Sequence, residues 1–158
     1  MLRIGASAAL SGPPAALGRQ YHLGSQAALQ AANEQGGIRG SPVLLDLLDD
    51  GYEPDRAVLN TETLLRDERV LALLGYVGTP TCMAALPLIK RHQLALVGPY
   101  TGADALWERN NPQVFMVRAS YRDEARALAR AMRDDGVRQV QVLYQADLYG
   151  RAGLEALR

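Results

Sequence analysis

The feature that most restricts what this chain can fold into is an alternation. Short apolar runs each end in a turn of glycines, prolines or acids, and a longer helix-patterned stretch precedes the next run. Val70 to Leu74 empties into Gly75-Tyr76-Val77-Gly78-Thr79-Pro80-Thr81, and Leu94 to Val97 empties into Gly98-Pro99-Tyr100-Thr101-Gly102-Ala103. Short strands joined through helices are the pattern of βαβ units, with parallel strands and right-handed crossovers. In such a sheet ligands bind in the crevice beyond the carboxyl ends of the strands, and each turn leads to a helix N-terminus with free N–H groups. The two turns therefore mark a candidate site for a small anion or an amino acid.

The rest of the chain keeps to the alternation. Leu2, Ile4, Ala6 and Ala8-Ala9-Leu10 predict a first strand, stopped by Ser11-Gly12-Pro13-Pro14. Small residues at Gly24, Ala28 and Ala31 suit a helix from Gly18 to Gln35 lying close on a sheet, with Gly36-Gly37 as its stop. Val43 to Leu48 predicts a second strand, ended by Asp49-Asp50-Gly51, and Pro54 opens a helix carried by Ala57, Thr61, Leu64 and Leu65. A helix from Pro80 to His92 follows the third strand, and Pro87, lacking an N–H, leaves the Met83 carbonyl free and is expected to kink it. A helical turn over Asp104 to Glu108 leads to a fifth strand, Val114 to Val117. Ser120 with Asp123 resembles a capping box, and Ala125, Leu128, Ala129 and Met132 mark the apolar face of a helix ended by Gly136. Gln139 to Gln145 predicts a further strand, and Tyr149 to Arg158 a last helix.

Several functional classes fall away. The 17 basic and 17 acidic residues balance and are scattered, which argues against nucleic acid and acidic membrane surfaces as partners. Cys82 is the only cysteine, so no intrachain disulfide can form, and no Cys or His grouping offers a metal site. A dinucleotide-binding enzyme needs G-x-G-x-x-G after the first strand, but the turn reads Gly5-Ala6-Ser7-Ala8-Ala9-Leu10-Ser11-Gly12. No nucleophile, base and orienting group stand in a recognisable pattern either, so neither catalysis nor a cofactor is expected. Met1 to Leu10 reads as a strand rather than as a secretory leader.

Taken together, certain strings resemble the branched-chain amino-acid binding proteins of bacterial ABC importers, the type I periplasmic solute-binding proteins. They are Ser11-Gly12-Pro13, the N-E-Q-G-G-I-R-G run from Asn33 to Gly40, Asp49-Asp50, Gly75 to Thr81, Gly98 to Gly102, Val117 to Tyr121, Asp123-Glu124 and Tyr149-Gly150. The resemblance implies an α/β three-layer sandwich with a flavodoxin-like lobe. Residues 1–119 would be the amino-terminal part of the first lobe and residues 120–158 the start of a second, with ligand held between them. Complete members are longer, so the chain is expected to be an amino-terminal portion of one, periplasmic or extracellular in the intact protein and partnered there by an ABC permease. A ligand-sensing regulatory domain of the same fold is the alternative.

The resemblance also implies site residues. Thr79, after Gly78, matches the position whose hydroxyl and backbone N–H meet the ligand carboxylate, and Tyr100, Thr101 and Gly102 match the second contact segment. Tyr149 matches an aromatic that packs over the ligand, Tyr121 sits at the crossover, and Leu17 stands where amino-acid binders often carry an aromatic. The family's disulfide positions fall at Tyr52 and Gly78, so that bridge is absent. Read from the residues alone, Thr79 before Pro80 is also a good helix N-cap, and the glycines can simply permit turns. Arg118 is expected to be a structural ion-pair partner at the lobe junction, with ligand contact as the alternative, Cys82 a small buried helix residue, and His22 and His92 packing or solvent-facing side chains. Asp49 and Asp50 lack the lysine that would complete a phospho-acceptor pocket. Strand edges left open are expected to make the chain associate as a homodimer or larger assembly.

Overall fold

In the computed structural model, which describes all 158 residues, five strands form one parallel sheet. They are β1 (Leu2–Ala8), β2 (Val43–Asp49), β3 (Val70–Leu74), β4 (Ala95–Val97) and β5 (Val114–Phe115), in the spatial order β2-β1-β3-β4-β5. Helix α1 (Ala15–Glu34) links β1 to β2, α2 (Pro54–Leu65) links β2 to β3, and α3 (Thr79–His92) links β3 to β4. The chain steps one way from β1 to β2 and the other way from β3 onward. Right-handed crossovers therefore set α1 on one face of the sheet and α2 with α3 on the other, the flavodoxin-like three-layer arrangement expected. No helix is long and apolar enough to cross a membrane.

The core lies between the sheet and the α2–α3 layer, where Leu73, Tyr76, Ile89 and Leu96 are fully buried among Leu64, Val70, Leu86 and Leu106. Each such aliphatic side chain contributes about 1.5–3 kcal/mol on burial. Cys82 is buried in this layer, as its sequence context implied, and burial pushes its thiol pKa upward. Thr61 joins the layer by its hydroxyl, 2.9 Å from the Tyr76 hydroxyl. Helix α3 runs unbroken through Pro87, although the Met83 carbonyl has no N–H to meet there.

The paired acids at the end of β2 are a latch between turns. Asp49 Oδ1 accepts hydrogen bonds from the backbone N–H groups of Leu10 (2.8 Å), Ser11 (3.1 Å) and Gly51 (2.9 Å), and Ser11 Oγ donates to Oδ2 at 2.6 Å. Burial alone would raise this carboxyl, but those four donors outweigh it and hold the pKa well below the ordinary range. Asp50 is fully buried, accepting from Ser7 Oγ at 2.7 Å and from the Tyr52 N–H at 2.8 Å. Here burial wins and the pKa rises.

Beyond the sheet come α4 (Tyr121–Asp134) and α5 (Leu148–Ala156). Ser120 caps α4 as expected, its Oγ accepting from the Asp123 N–H at 3.1 Å, and Asp147 caps α5 by accepting from the Gly150 N–H at 2.9 Å. Five expectations need correction. The predicted strand Gln139 to Gln145 pairs with nothing, because a strand needs a neighbour to take its N–H and C=O groups and no strand adjoins it. The fifth strand is only Val114–Phe115, and the fourth starts at Ala95. Helix α1 starts at Ala15, directly after the prolines, rather than at Gly18. Thr79 is not an N-cap; Gly78 holds that place, with no side-chain cap.

Candidate functional site

The carboxyl ends of all five strands converge on one cavity of about 690 Å³. Pro13, Pro14 and Leu17 reach it from beyond β1, Gly51, Tyr52 and Glu53 from beyond β2, Gly78 from beyond β3, Tyr100 from beyond β4, and Arg118 and Tyr121 from beyond β5. Gln145 and Tyr149 close it from the last segment. This is the crevice at the switch point of a doubly wound sheet, where β1 and β3 lie side by side and their connections leave in opposite directions.

The turns after β3 and β4 stay paired past the strand ends. The Tyr100 N–H donates to the Tyr76 carbonyl at 2.7 Å, and the Gly78 N–H donates to the Tyr100 carbonyl at 3.3 Å. Two neighbouring residues of α1 grip the same turns from the opposite layer. Tyr21 donates its hydroxyl to the Gly98 carbonyl at 2.7 Å, and His22 Nε2 meets the Gly75 carbonyl at 3.0 Å. His22 is buried with Nδ1 unpartnered, and burial lowers its pKa, only partly offset by the Gly75 contact. Since the carbonyl can only accept, Nε2 carries the proton.

Gly78 is required twice over. Its φ of 104° lies where an L side chain is strained, and a Cβ would stand 2.2 Å from Cε2 of the Tyr52 ring. Tyr52 itself adopts φ 70°, held by its N–H bond to Asp50. At the two positions where the resemblance implies a disulfide, the structure thus packs an aromatic ring against a bare backbone. Burial first, and then Asp147, push the Tyr52 hydroxyl pKa upward. Gly102 is equally tight, since a Cβ there would come 2.6 Å from Cδ1 of Tyr121, whose N–H donates to the Gly102 carbonyl at 2.6 Å.

Of the residues singled out from the sequence, Gly78, Tyr100, Tyr121 and Tyr149 line the cavity, as does Leu17. Tyr121 and Tyr149 meet edge to face with ring centroids 5.9 Å apart. Thr79, Thr101 and Gly102 lie behind that lining. Thr79 and Thr101 share a hydrogen bond of 2.7 Å, and Thr101 Oγ1 also lies 3.2 Å from the Tyr121 hydroxyl and accepts from the Ala103 N–H at 3.2 Å. Three partners use the whole capacity of a hydroxyl. Seven lining residues, among them Tyr52, Glu53, Arg118 and Gln145, were not assigned to the cavity from the sequence. Tyr52 could have been found, since Asp50-Gly51-Tyr52 is the turn after β2 and stands to its strand as Gly75 and Gly98 do to theirs.

The fold is shared with known proteins. A family model described as periplasmic binding protein matches residues 1–158. A Leu/Ile/Val-binding protein homolog of Brucella melitensis is 27% identical over 161 residues, which cover 99% of this chain and 43% of that protein. Among solved structures, a possible leucine/isoleucine/valine-binding protein from Rhodopirellula baltica superposes with a TM-score of 0.91 at 37% identity, covering 99% of this chain and 44% of that one. A substrate-binding periplasmic protein from Ralstonia solanacearum does so with a TM-score of 0.94 at 31% identity, over 99% and 44%. The chain therefore spans less than half the length of the proteins it matches. All three are named for binding rather than for a reaction.

Proposed function

The chain belongs to the periplasmic binding protein family, and from that premise we propose that it forms one wall of a solute-binding site for a small carboxylate or amino-acid-like ligand, serving an ABC importer outside the cytoplasmic membrane. The observation that carries this reading is the convergence of all five strand ends on a single cavity, walled by aromatic rings and backbone turns rather than by a catalytic grouping. Gly78, Tyr100, Tyr121 and Tyr149 form its surface, and Thr79, Thr101 and Gly102 support that surface from behind. Residues 1–119 belong to one lobe and residues 120–158 open the second, so ligand binding draws the α4–α5 segment toward the turns after β3 and β4.

Calorimetric titration with a panel of amino acids and small carboxylates tests the reading. Saturable heat with at least one of them is expected, and none at millimolar concentration overturns it. The apolar side chains that the last segment leaves in solvent also favour self-association; light scattering is expected to give a mass above that of one chain, and a clean monomer at micromolar concentration would refute the point.

A further inference from the structure

Arg118 leads out of the last strand of the sheet and supplies the only cationic side chain on the cavity wall. Its guanidinium carbon lies 5.5 Å from the ring centroid of Tyr100 and 5.5 Å from that of Tyr121. Two aromatic faces of this kind hold a planar cation in one orientation. One of its nitrogens, Nη2, is paired with Glu124, while Nε and Nη1 make no hydrogen bond and remain as donors. The hydroxyls behind the wall are differently placed, because Thr101 is saturated by three partners and Thr79 is buried against it. An anion entering the cavity meets oriented guanidinium donors before it could meet either threonine.

Glu53 and Gln145 are the other charged or amide side chains of the lining, and most of the rest is aromatic or apolar. Tyr52, Tyr100, Tyr121 and Tyr149 surround the space with Leu17 and Pro14, four rings that offer more apolar contact than a short aliphatic side chain uses. We propose that Arg118 is the residue that fixes the ligand's carboxylate, and that the ligand is a monocarboxylate carrying an aromatic or bulky apolar group seated among the four tyrosines. The assignment rests on the binding reading above and refines it. A guanidinium presents paired, coplanar donors that match a carboxylate's two oxygens, a geometry that a lysine ammonium reproduces only as a point charge. A neutral amide of the same shape keeps the ring contacts and loses the charge pairing.

Titrating the protein with phenylacetate, with phenylacetamide and with L-leucine separates the two levels of claim. Phenylacetate is expected to bind about tenfold or more tighter than phenylacetamide, the difference of one charge-assisted pair. Arg118→Gln is expected to erase that preference by weakening phenylacetate alone, with phenylacetamide changed less than about twofold, and Arg118→Lys to restore part of it. A residue that merely props the wall would weaken acid and amide together, and that result overturns the assignment. Equal affinity for acid and amide in the unaltered protein overturns it too, without reliance on any variant's folding. If phenylacetate or L-leucine binds with no dependence on Arg118, the assignment fails while the binding reading stands; if none of the three nor any other small solute binds, both fail.

Discussion

The sheet with its three helices and the α4–α5 segment that follows it obey the same local rules and end in opposite states. After Ala119 only Ser120, Ala125 and Gly150 are buried, whereas residues 1–119, the sheet with its flanking helices and turns, hold the rest of the 36 buried residues. The later helices are nevertheless the better capped, by Ser120 and Asp147, while α1, α2 and α3 have no side-chain cap. A helix satisfies its backbone within itself, so good caps and an amphipathic pattern suffice to write it. A strand does not, and the run from Gln139 to Gln145, with Leu143 wholly exposed, stays unpaired beside them.

The contrast can be broken or sharpened by substitution. Gly78→Val has the largest expected effect, about 3 kcal/mol, because it joins a strained φ to a clash with the Tyr52 ring, and denaturant unfolding measures it. The acid sensitivity of the α1 grip comes next. His22 has a lowered folded pKa, so the native state binds fewer protons than the unfolded state below about pH 6.5, and stability falls as the pH drops through that value. Thermal melts from pH 7.5 to 5 are expected to fall more steeply for the native protein than for His22→Gln, and equal slopes would refute the grip's dependence on a neutral ring. Tyr21→Phe removes one bond to the Gly98 carbonyl and should cost about 1 kcal/mol. Leu143→Ser should stay within about 0.5 kcal/mol; a larger loss would mean that the last segment shares the sheet's core after all.

How much could be read from the sequence follows the same division. The parallel order, the turns at Gly75 and Gly98 and the cap at Ser120 were legible because each depends on residues close in the chain. Thr79 misled as a cap because its hydroxyl is claimed by Thr101, which lies near it only once β3 and β4 pair. Arg118 was assigned to an ion pair and does contact Glu124, but its place between two rings depends on the turn after β4 and the start of α4 meeting in space. His22 carried no local sign of burial; its partner is a backbone carbonyl from another strand's turn.

The position of β1 has a consequence for how the molecule is made. It lies inside the sheet, yet it precedes both of its neighbours, pairing with Val43–Asp49 on one side and Val70–Leu74 on the other. A ribosome adding about 5–20 residues per second must complete everything from Ala8 to Val70 before that strand is enclosed, a delay on the order of several seconds. For that interval the most deeply embedded part of the finished sheet is a bare apolar ribbon. Small alanines at positions 6, 8 and 9 in place of bulky branched residues make it a poor template for other chains while it waits.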